Sequence, residues 1–360
     1  MVNTDTLKAI AAQFALKGTA TDIRPLGEGF INDTFLVCTD GQKDPSYILQ
    51  RKNHVIFPDV PSMMENIRKV TEHIKKKVAD PERGTLTVIP TKDGKLYYKD
   101  ENGNFWAVCL FIGGSKSYDK ADTAELAYQG GLGLGEFHLQ VSDFKEPLAE
   151  VIKGFHNIRF RFQQWDASIA ADKAGRVASL KEEISWIESR RAKMLEFWEK
   201  FENGVFPTRV THNDTKISNF LFNAADGSLL CAIDLDTMMS STLLNDVGDA
   251  LRSYTNTGAE DEADLSKVSM SMDMFKAYIG GYLSRMKSAL VPAELDALAF
   301  SGLYITYEQV LRFLMDYIDG DTYYKTKYPE HNLVRTKAQY KLLQSMEAQL
   351  DEMNAFVKSC

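Results

Sequence analysis

The stretch VTHNDTKISNFLF, residues 210–222, sets a histidine, an aspartate, a lysine and an asparagine between two apolar runs, where a strand pattern begins. The chain continues NAADGSLLCAIDLD (223–236), and Ala-Asp-Gly between apolar runs is a strong hairpin signal. With the turn centred on Asp226-Gly227, Asn219 is expected to face Asp234 directly across the ladder, with Cβ atoms about 5 Å apart. An amide oxygen and a carboxylate at that separation can share one hard cation, and Mg2+ takes few protein ligands when a nucleotide supplies the rest. Asp236, two residues on, is expected on the same face.

The spacing His212-x-Asp214-x-Lys216-x-x-Asn219 then has a mechanical reading. In the catalytic loop of protein kinases, H-R-D-x-x-x-x-N, the aspartate accepts the proton of the attacking hydroxyl and the asparagine holds Mg2+, joined by an aspartate from the next hairpin strand. Asp214, Asn219 and Asp234 fill these three roles. Lys216 is expected near the transferring phosphoryl group, offsetting its growing charge. His212 is expected to hold the loop's backbone, and Asp246 and Asp249 in NDVGDALR (245–252) to brace the same loop. An isolated H-x-D is ordinarily a turn with an exposed carboxylate. Its conjunction with Lys216, Asn219, a hairpin and I-D-x-D carries the reading to phosphotransfer. A metal-dependent hydrolase is the rival, since paired carboxylates and a histidine can also hold two metals, but no second His or Glu cluster completes such a site.

The 360 residues are 44% hydrophobic and 11% aromatic, enough for one large domain or two moderate ones. A net charge of −8 argues against nucleic acid or anionic membrane as a partner, since both reward a basic face. Small molecules or proteins are expected instead. Cys38, Cys109, Cys231 and Cys360 show no metal spacing, and three of them sit in apolar runs as buried thiols would. The N-terminal MVNTDTLKAIAAQFALKG reads as a short amphipathic helix ended by Gly18, without the basic start and long apolar run of a signal peptide. No segment has the apolar length of a transmembrane helix, and the cytoplasm is the expected location.

From about residue 20 to 110 short β-rich runs alternate with Gly, Asp and Pro turns, with one helical stretch near 62–77; from about 122 helical patterns dominate. The expectation is an α+β, bilobal, protein-kinase-like chain: a small nucleotide-binding lobe over 1–112 and a catalytic, mostly helical lobe over 113–360. The join falls at FIGGSKSYD (111–119), whose paired glycines suit a hinge. In LGEGFINDTFLV (26–37), Gly27 and Gly29 can let backbone N–H groups approach ATP phosphates, with a plain β-turn as the alternative. Asn32 and Thr34 of the same stretch join the expected nucleotide contacts. The lysine that ends V-A-I-K in protein kinases is missing, because YILQR (47–51) has Gln50 there, followed by Arg51. Glu65 is one candidate for the acidic partner.

Beyond these motifs, YILQ (47–50), FPDV (57–60), VTHNDTK (210–216), IDLDT (233–237), GDALR (248–252), RFLMDYIDGD (312–321) and KYPEHNLVRT (327–336) resemble the bacterial N-acetylhexosamine 1-kinases. These are members of the aminoglycoside phosphotransferase and choline kinase superfamily. The resemblance runs from AAQFAL (11–16) to the C-terminal helix, and KYPEHNLVRT is its most specific part. It implies ATP and Mg2+ as cofactors, and phosphorylation of the anomeric hydroxyl of N-acetylglucosamine or N-acetylgalactosamine to the sugar 1-phosphate. It implies Asp214 as base, Asn219 and Asp234 toward Mg2+, Gln50 in place of the lysine, and Arg312 and Tyr323 toward the sugar.

Read alone, Arg312 is an i,i+4 ion pair with Glu308, and Tyr323 a core or surface aromatic. Two positions depart from the pattern: Phe30 stands where relatives carry histidine, and Ser253 where an aromatic is usual. Both could line the sugar site. A kinase for another small alcohol stays open, whether a different sugar, an aminoglycoside or an amino alcohol. A catalytically silent nucleotide-binding protein is a further alternative, against which the joint retention of Asp214, Asn219 and Asp234 speaks.

Overall fold

The structure is a computed structural model that describes residues 3–27, 31–40 and 46–360. In chain order its first elements are α1 (Thr4–Ala11), β1 (Ala20–Pro25), β2 (Asp33–Thr39), β3 (Tyr47–Lys52), α2 (Val60–Lys75), β4 (Val88–Ile89), β5 (Tyr98–Lys99), β6 (Phe105–Leu110) and β7 (Ser115–Lys116). Then follow α3 (Ala124–Gln140), α4 (Ile158–Ala171), α5 (Lys181–Glu188), α6 (Arg191–Glu202), β8 (Arg209–Thr211), β9 (Phe220–Asn223) and β10 (Leu229–Ala232). The last four helices are α7 (Leu243–Tyr254), α8 (Met272–Met286), α9 (Pro292–Ile318) and α10 (His331–Ser359). Among the described residues no helix is long and apolar enough to cross a membrane.

The chain divides into two compact units. The first comprises Met1–Ser117, Gln140–Lys153 and Ser218–Ser240, and the second Tyr118–Leu139, Gly154–Ile217 and Ser241–Cys360. The first unit therefore runs past the expected break at 112 and takes in two later segments.

In the first unit an antiparallel sheet has the order β1-β2-β3-β6-β4, with β5 also on β6. Its alternating strands bury Ile23, Val37, Leu49, Trp106 and Val108, and the apolar stripe of α1 packs Leu7, Ile10 and Ala11 onto them. Helix α1 ends at Ala11, well before Gly18, because the chain leaves it to pair Phe14 with Thr91. Helix α2 starts at Asp59, whose side chain caps Ser62 N, with Pro61 in the first turn. On its buried face Asn66 donates to the carbonyls of Ala149 (2.9 Å) and Met238 (3.1 Å) and accepts from Ala149 N (2.9 Å). These bonds explain why both later segments belong to this unit.

At the paired-glycine stretch Gly114 takes φ +64°, and the following Ser115 and Lys116 pair with Asn223 and Phe222 of β9. Burial lifts the thiols of Cys231 and Cys109 to about 12 and about 11; Cys38 and Cys231 are buried, whereas Cys109 and Cys360 are half-buried.

The second unit is helical. The glycine-rich α3 looks unpromising by propensity, yet its glycines allow close packing. A Cβ on Gly131 would lie 2.0 Å from the carbonyl oxygen of Tyr278, and one on Gly281 of α8 would lie 2.1 Å from that of Tyr128. The two backbones meet where neither helix has a side chain, which offsets the roughly 1 kcal/mol each helical glycine costs. Gly248 of α7 similarly admits Ser301 of α9, whose carbonyl oxygen would sit 2.3 Å from an added Cβ.

Candidate functional site

The functional residues fall into a group in each unit. In the second, β8 delivers the chain into a loop whose amides point inward. Asp246, at the start of α7 and fully buried, accepts the N–H groups of His212 and Asn213, both at 2.7 Å, and His138 Nε2 at 2.8 Å. Asp249, one helical turn on, accepts Thr215 N at 3.0 Å and Arg252 Nη2 at 3.1 Å. Burial pushes the Asp249 carboxyl up, but Arg252, His156 and the Thr215 amide outweigh it and hold the group below its ordinary value. Both aspartates thus brace the loop. His212 joins them, its Nδ1 accepting Asp214 N at 3.3 Å.

The loop's turn forces Asn213 to φ +65°, a left-handed conformation that asparagine tolerates better than most residues. Asp214 then emerges partly exposed, with Lys216 Nζ 2.9 Å from its Oδ2. Lys216 therefore rests on the aspartate itself.

A second cluster lies on α9 of the same unit. Glu308 does not pair with Arg312, as the i,i+4 spacing suggests. It meets His156 Nδ1 at 2.7 Å and Arg161 Nε at 3.2 Å. Burial raises the Glu308 carboxyl, but His156, Arg161 and Arg312 pull it down to about 2. The Arg312 guanidinium stands over three rings, Phe155 and Tyr324 at 5.6 Å and Tyr323 at 5.8 Å. Burial disfavours its charge, yet Tyr324, Glu308 and Tyr323 leave its pKa raised.

Tyr323 is 61% exposed, on a loop held from beneath by Asp316. That buried carboxylate accepts the backbone N–H groups of Thr322 (2.9 Å), Tyr323 (2.7 Å) and Tyr324 (3.0 Å), and Asn332 Nδ2 at 2.8 Å. Asn332 also donates to Asp321 at 2.8 Å. The KYPEHNLVRT stretch is thus a clamp on the loop that carries Tyr323. Ser253 turns its hydroxyl back onto the carbonyl of Ala250 at 3.1 Å.

In the first unit the hairpin register differs from the expected one. Next to the turn Leu229 faces Phe222, two positions from the expected pairing, and a bulge before Cys231 restores one of them, so Ala232 faces Phe220 and Ile233 N donates to Asn219 O at 2.8 Å. Asn219 is therefore opposite Ile233, and Asp234 follows in a left-handed turn with φ 57° and ψ 53°. Asp236 does not continue a strand: it lies in a single 3₁₀ turn, Leu235–Thr237.

That aspartate reveals the residue the sequence reading missed. Lys52, two residues after Gln50 and on the same face of β3, is buried and sets its Nζ 2.7 Å and 3.0 Å from the two Asp236 oxygens. It also donates to Gln50 Oε1 at 2.7 Å. Gln50 Nε2 reaches Thr34 Oγ1 at 3.3 Å, and Asn32 Nδ2 donates to Asp236 Oδ2 at 2.7 Å. Thr34, Gln50, Lys52, Asp236 and Asn32 thus form one chain of side-chain hydrogen bonds. Burial pulls the Lys52 pKa down, but Asp236, Cys109 and Asp234 more than offset it and leave it raised. Glu65 is not the acidic partner; it pairs with Arg68.

Gly27 takes φ +65°, and among the described residues no atom lies within 4 Å of where a Cβ would be. Gly29 and Phe30 lie outside the described residues.

Residues 22–267 match the phosphotransferase enzyme family. Among solved structures, a microcompartment-associated aminopropanol kinase is similar at TM-score 0.66 and 16% identity, covering 97% of this chain and 98% of its own. An aminoglycoside phosphotransferase from Alicyclobacillus acidocaldarius gives TM-score 0.63 at 12% identity, covering 100% and 97%. A spectinomycin phosphotransferase in complex with ADP and its antibiotic gives 0.53 at 12%, covering 100% and 99%. The match over residues 22–267 places the chain in the phosphotransferase enzyme family, and an antiparallel sheet in the N-terminal region followed by a helical C-terminal part gives it the protein-kinase-like fold of these structures.

Proposed function

We propose that the enzyme phosphorylates the anomeric hydroxyl of an N-acetylhexosamine, N-acetylglucosamine or N-acetylgalactosamine, with ATP and Mg2+, releasing the sugar 1-phosphate and ADP. Asp214 accepts the proton of the hydroxyl as its oxygen attacks the γ-phosphorus, and the bond to the β-phosphate oxygen breaks. Lys216, at 2.9 Å from Asp214, orients the carboxylate and offsets charge developing on the phosphoryl group.

The donor set of the hairpin fits a hard divalent ion. Asn219 and Asp234 offer only oxygen ligands, and Asp234 adds a negative charge within the field of Lys52. They would hold Mg2+, which when bound with ATP neutralises phosphate charge. Gly27 supplies backbone free of a side chain for the phosphates. Gln50, Thr34 and Asn32 act on the nucleotide through their shared network and the face of β3 that they order.

The observation that carries the sugar reading is Arg312 among its three rings. A guanidinium offers five donors to hydroxyl and acetamide oxygens, and an aromatic ring can cover an apolar sugar face. An arginine stays protonated at any working pH, and its positive charge there disfavours ammonium acceptors such as amino alcohols and aminoglycosides. Another small alcohol remains the second reading, favoured by the similarity to an aminopropanol kinase.

The test is a screen for ADP release with Mg2+-ATP across N-acetylhexosamines, hexoses, amino alcohols and aminoglycosides, with the product identified by 31P NMR. A doublet coupled to the anomeric proton is expected. Turnover confined to amino alcohols or aminoglycosides overturns the sugar reading and leaves the phosphotransferase.

A further inference from the structure

We propose that Lys52 is a positioning residue: its ion pair with Asp236 fixes the turn from which Asp234 presents its carboxylate to Mg2+. The inference rests on the metal role given to Asp234 above.

Every donor of Lys52 is accounted for within the first unit. Its three ammonium protons match the two Asp236 oxygens and Gln50 Oε1, at 2.7, 3.0 and 2.7 Å. The side chain is 4% exposed. Lys52 is therefore anchored to Asp236 and Gln50, where the strand lysine of protein kinases pairs with a glutamate of αC.

What the anchor holds is the turn. Asp234 adopts a left-handed backbone with φ 57°, a conformation uncommon outside glycine that its surroundings help to hold. The next turn, Leu235–Thr237, is gripped at Asp236 by Lys52 and by Asn32 Nδ2 at 2.7 Å. Just beyond it Asn66 of α2 donates to the Met238 carbonyl at 3.1 Å. The grip reaches back into the sheet, because Asn32 Oδ1 accepts Asn53 N at 3.0 Å.

Stability alone does not explain the pair. Two buried charges recover little more than their desolvation cost, and well-packed apolar residues of similar volume serve stability as well or better. What they supply is a fixed geometry.

Three variants of the full chain separate these roles: Asp234→Ala, the double variant Lys52→Met with Asp236→Leu, and Lys52→Arg. Two readouts are taken, the melting temperature as Mg2+ is titrated at saturating ADP, and the Mg2+ concentration for half-maximal ADP release. The double variant is expected to melt cooperatively. Its half-saturating Mg2+ should rise about 10- to 100-fold in both readouts, as when a residue supporting a metal ligand is lost. Lys52→Arg keeps the charge pair and should shift it less.

If Asp234→Ala removes the Mg2+ response while the double variant retains it, the positioning role is wrong and the metal role stands. If Asp234→Ala itself leaves the response unchanged, the metal role fails and this inference with it. Should the double variant not fold, Asn32→Ala removes one donor from Asp236 and should shift the Mg2+ titration in the same direction by a smaller factor. An unchanged titration there overturns the proposal.

Discussion

Glu308 and His156 meet at 2.7 Å, and the far nitrogen of the same ring lies 3.4 Å from the carbonyl oxygen of Asn213. One imidazole therefore spans from α9, the helix of Arg312, to the loop of Asp214. His156 itself sits at φ 56°, a conformation that these two partners and its neighbours must impose. The geometry ties the residue proposed for acceptor recognition to the residue proposed as base.

This pairing has a consequence for acid stability. The Glu308 carboxyl titrates at about 2 in the folded chain, below its ordinary 4.5. A depressed acid stabilises the fold above its unfolded value, and that contribution is lost as pH falls through the folded one. The window is therefore about pH 4.5 down to about 2. Glu308→Gln should be less stable at pH 6 by about 3–5 kcal/mol, since it leaves Arg161 and His156 without their anion. Urea melts should show the gap to the unmodified protein narrowing across that window. A gap independent of pH argues that Glu308 acts by shape rather than charge.

The base has its own test. Asp214→Asn should lower kcat by roughly 10²- to 10⁴-fold while nucleotide binding survives. An anomeric hydroxyl is more acidic than an ordinary alcohol, which favours the lower end. ADP affinity by calorimetry beside steady-state turnover separates the two effects, and near-normal turnover rules the assignment out.

Asp246 should behave differently from Asp214. It is fully buried and receives His212 N, Asn213 N and His138 Nε2. Asp246→Ala leaves these donors unsatisfied, and the expected loss is about 3–5 kcal/mol of stability in addition to lost turnover. Thermal melts distinguish it: Asp214→Asn should melt near the unmodified protein, and Asp246→Ala well below.

Much of this site is legible in the sequence, because its chemistry is concentrated in a short, regular spacing. The H-x-D-x-K-x-x-N loop and the hairpin follow from local pattern. The register does not, because the turn closes with Leu229 opposite Phe222, two positions from the expected pairing, and the bulge before Cys231, which leaves no local signal, restores only one of them and leaves Asn219 opposite Ile233. Lys52 is a different case. Strand alternation already puts residues 50 and 52 on one face, so a lysine displaced by two could have been found by asking which residues share that face. The Glu308–His156 pair joins residues far apart in sequence, and nothing near either one announces it. The Glu308–Arg312 spacing even points to the wrong partner, since helical proximity is a weak force beside a buried histidine and arginine.

Specificity offers the last prediction. A neutral, hydroxyl-rich acceptor is recognised by donors and acceptors that are left unpaired when the wrong molecule binds. Arg312 and Tyr323 supply such groups, and Asp316 fixes the loop of Tyr323 through three backbone amides. Arg312→Ala and Tyr323→Phe should each raise the sugar KM, with a loss of about 1–3 kcal/mol in kcat/KM and little change in the KM for ATP. Asp316→Ala, which touches no substrate, should raise the sugar KM in the same way by freeing that loop. Arg312→Ala should also improve the relative rate on ammonium alcohols, because the fixed positive charge is gone. Steady-state kinetics with each acceptor varied at saturating ATP measures all four. If Arg312→Ala raises the KM for ATP and leaves the sugar KM untouched, Arg312 belongs to the nucleotide and the acceptor must be recognised elsewhere.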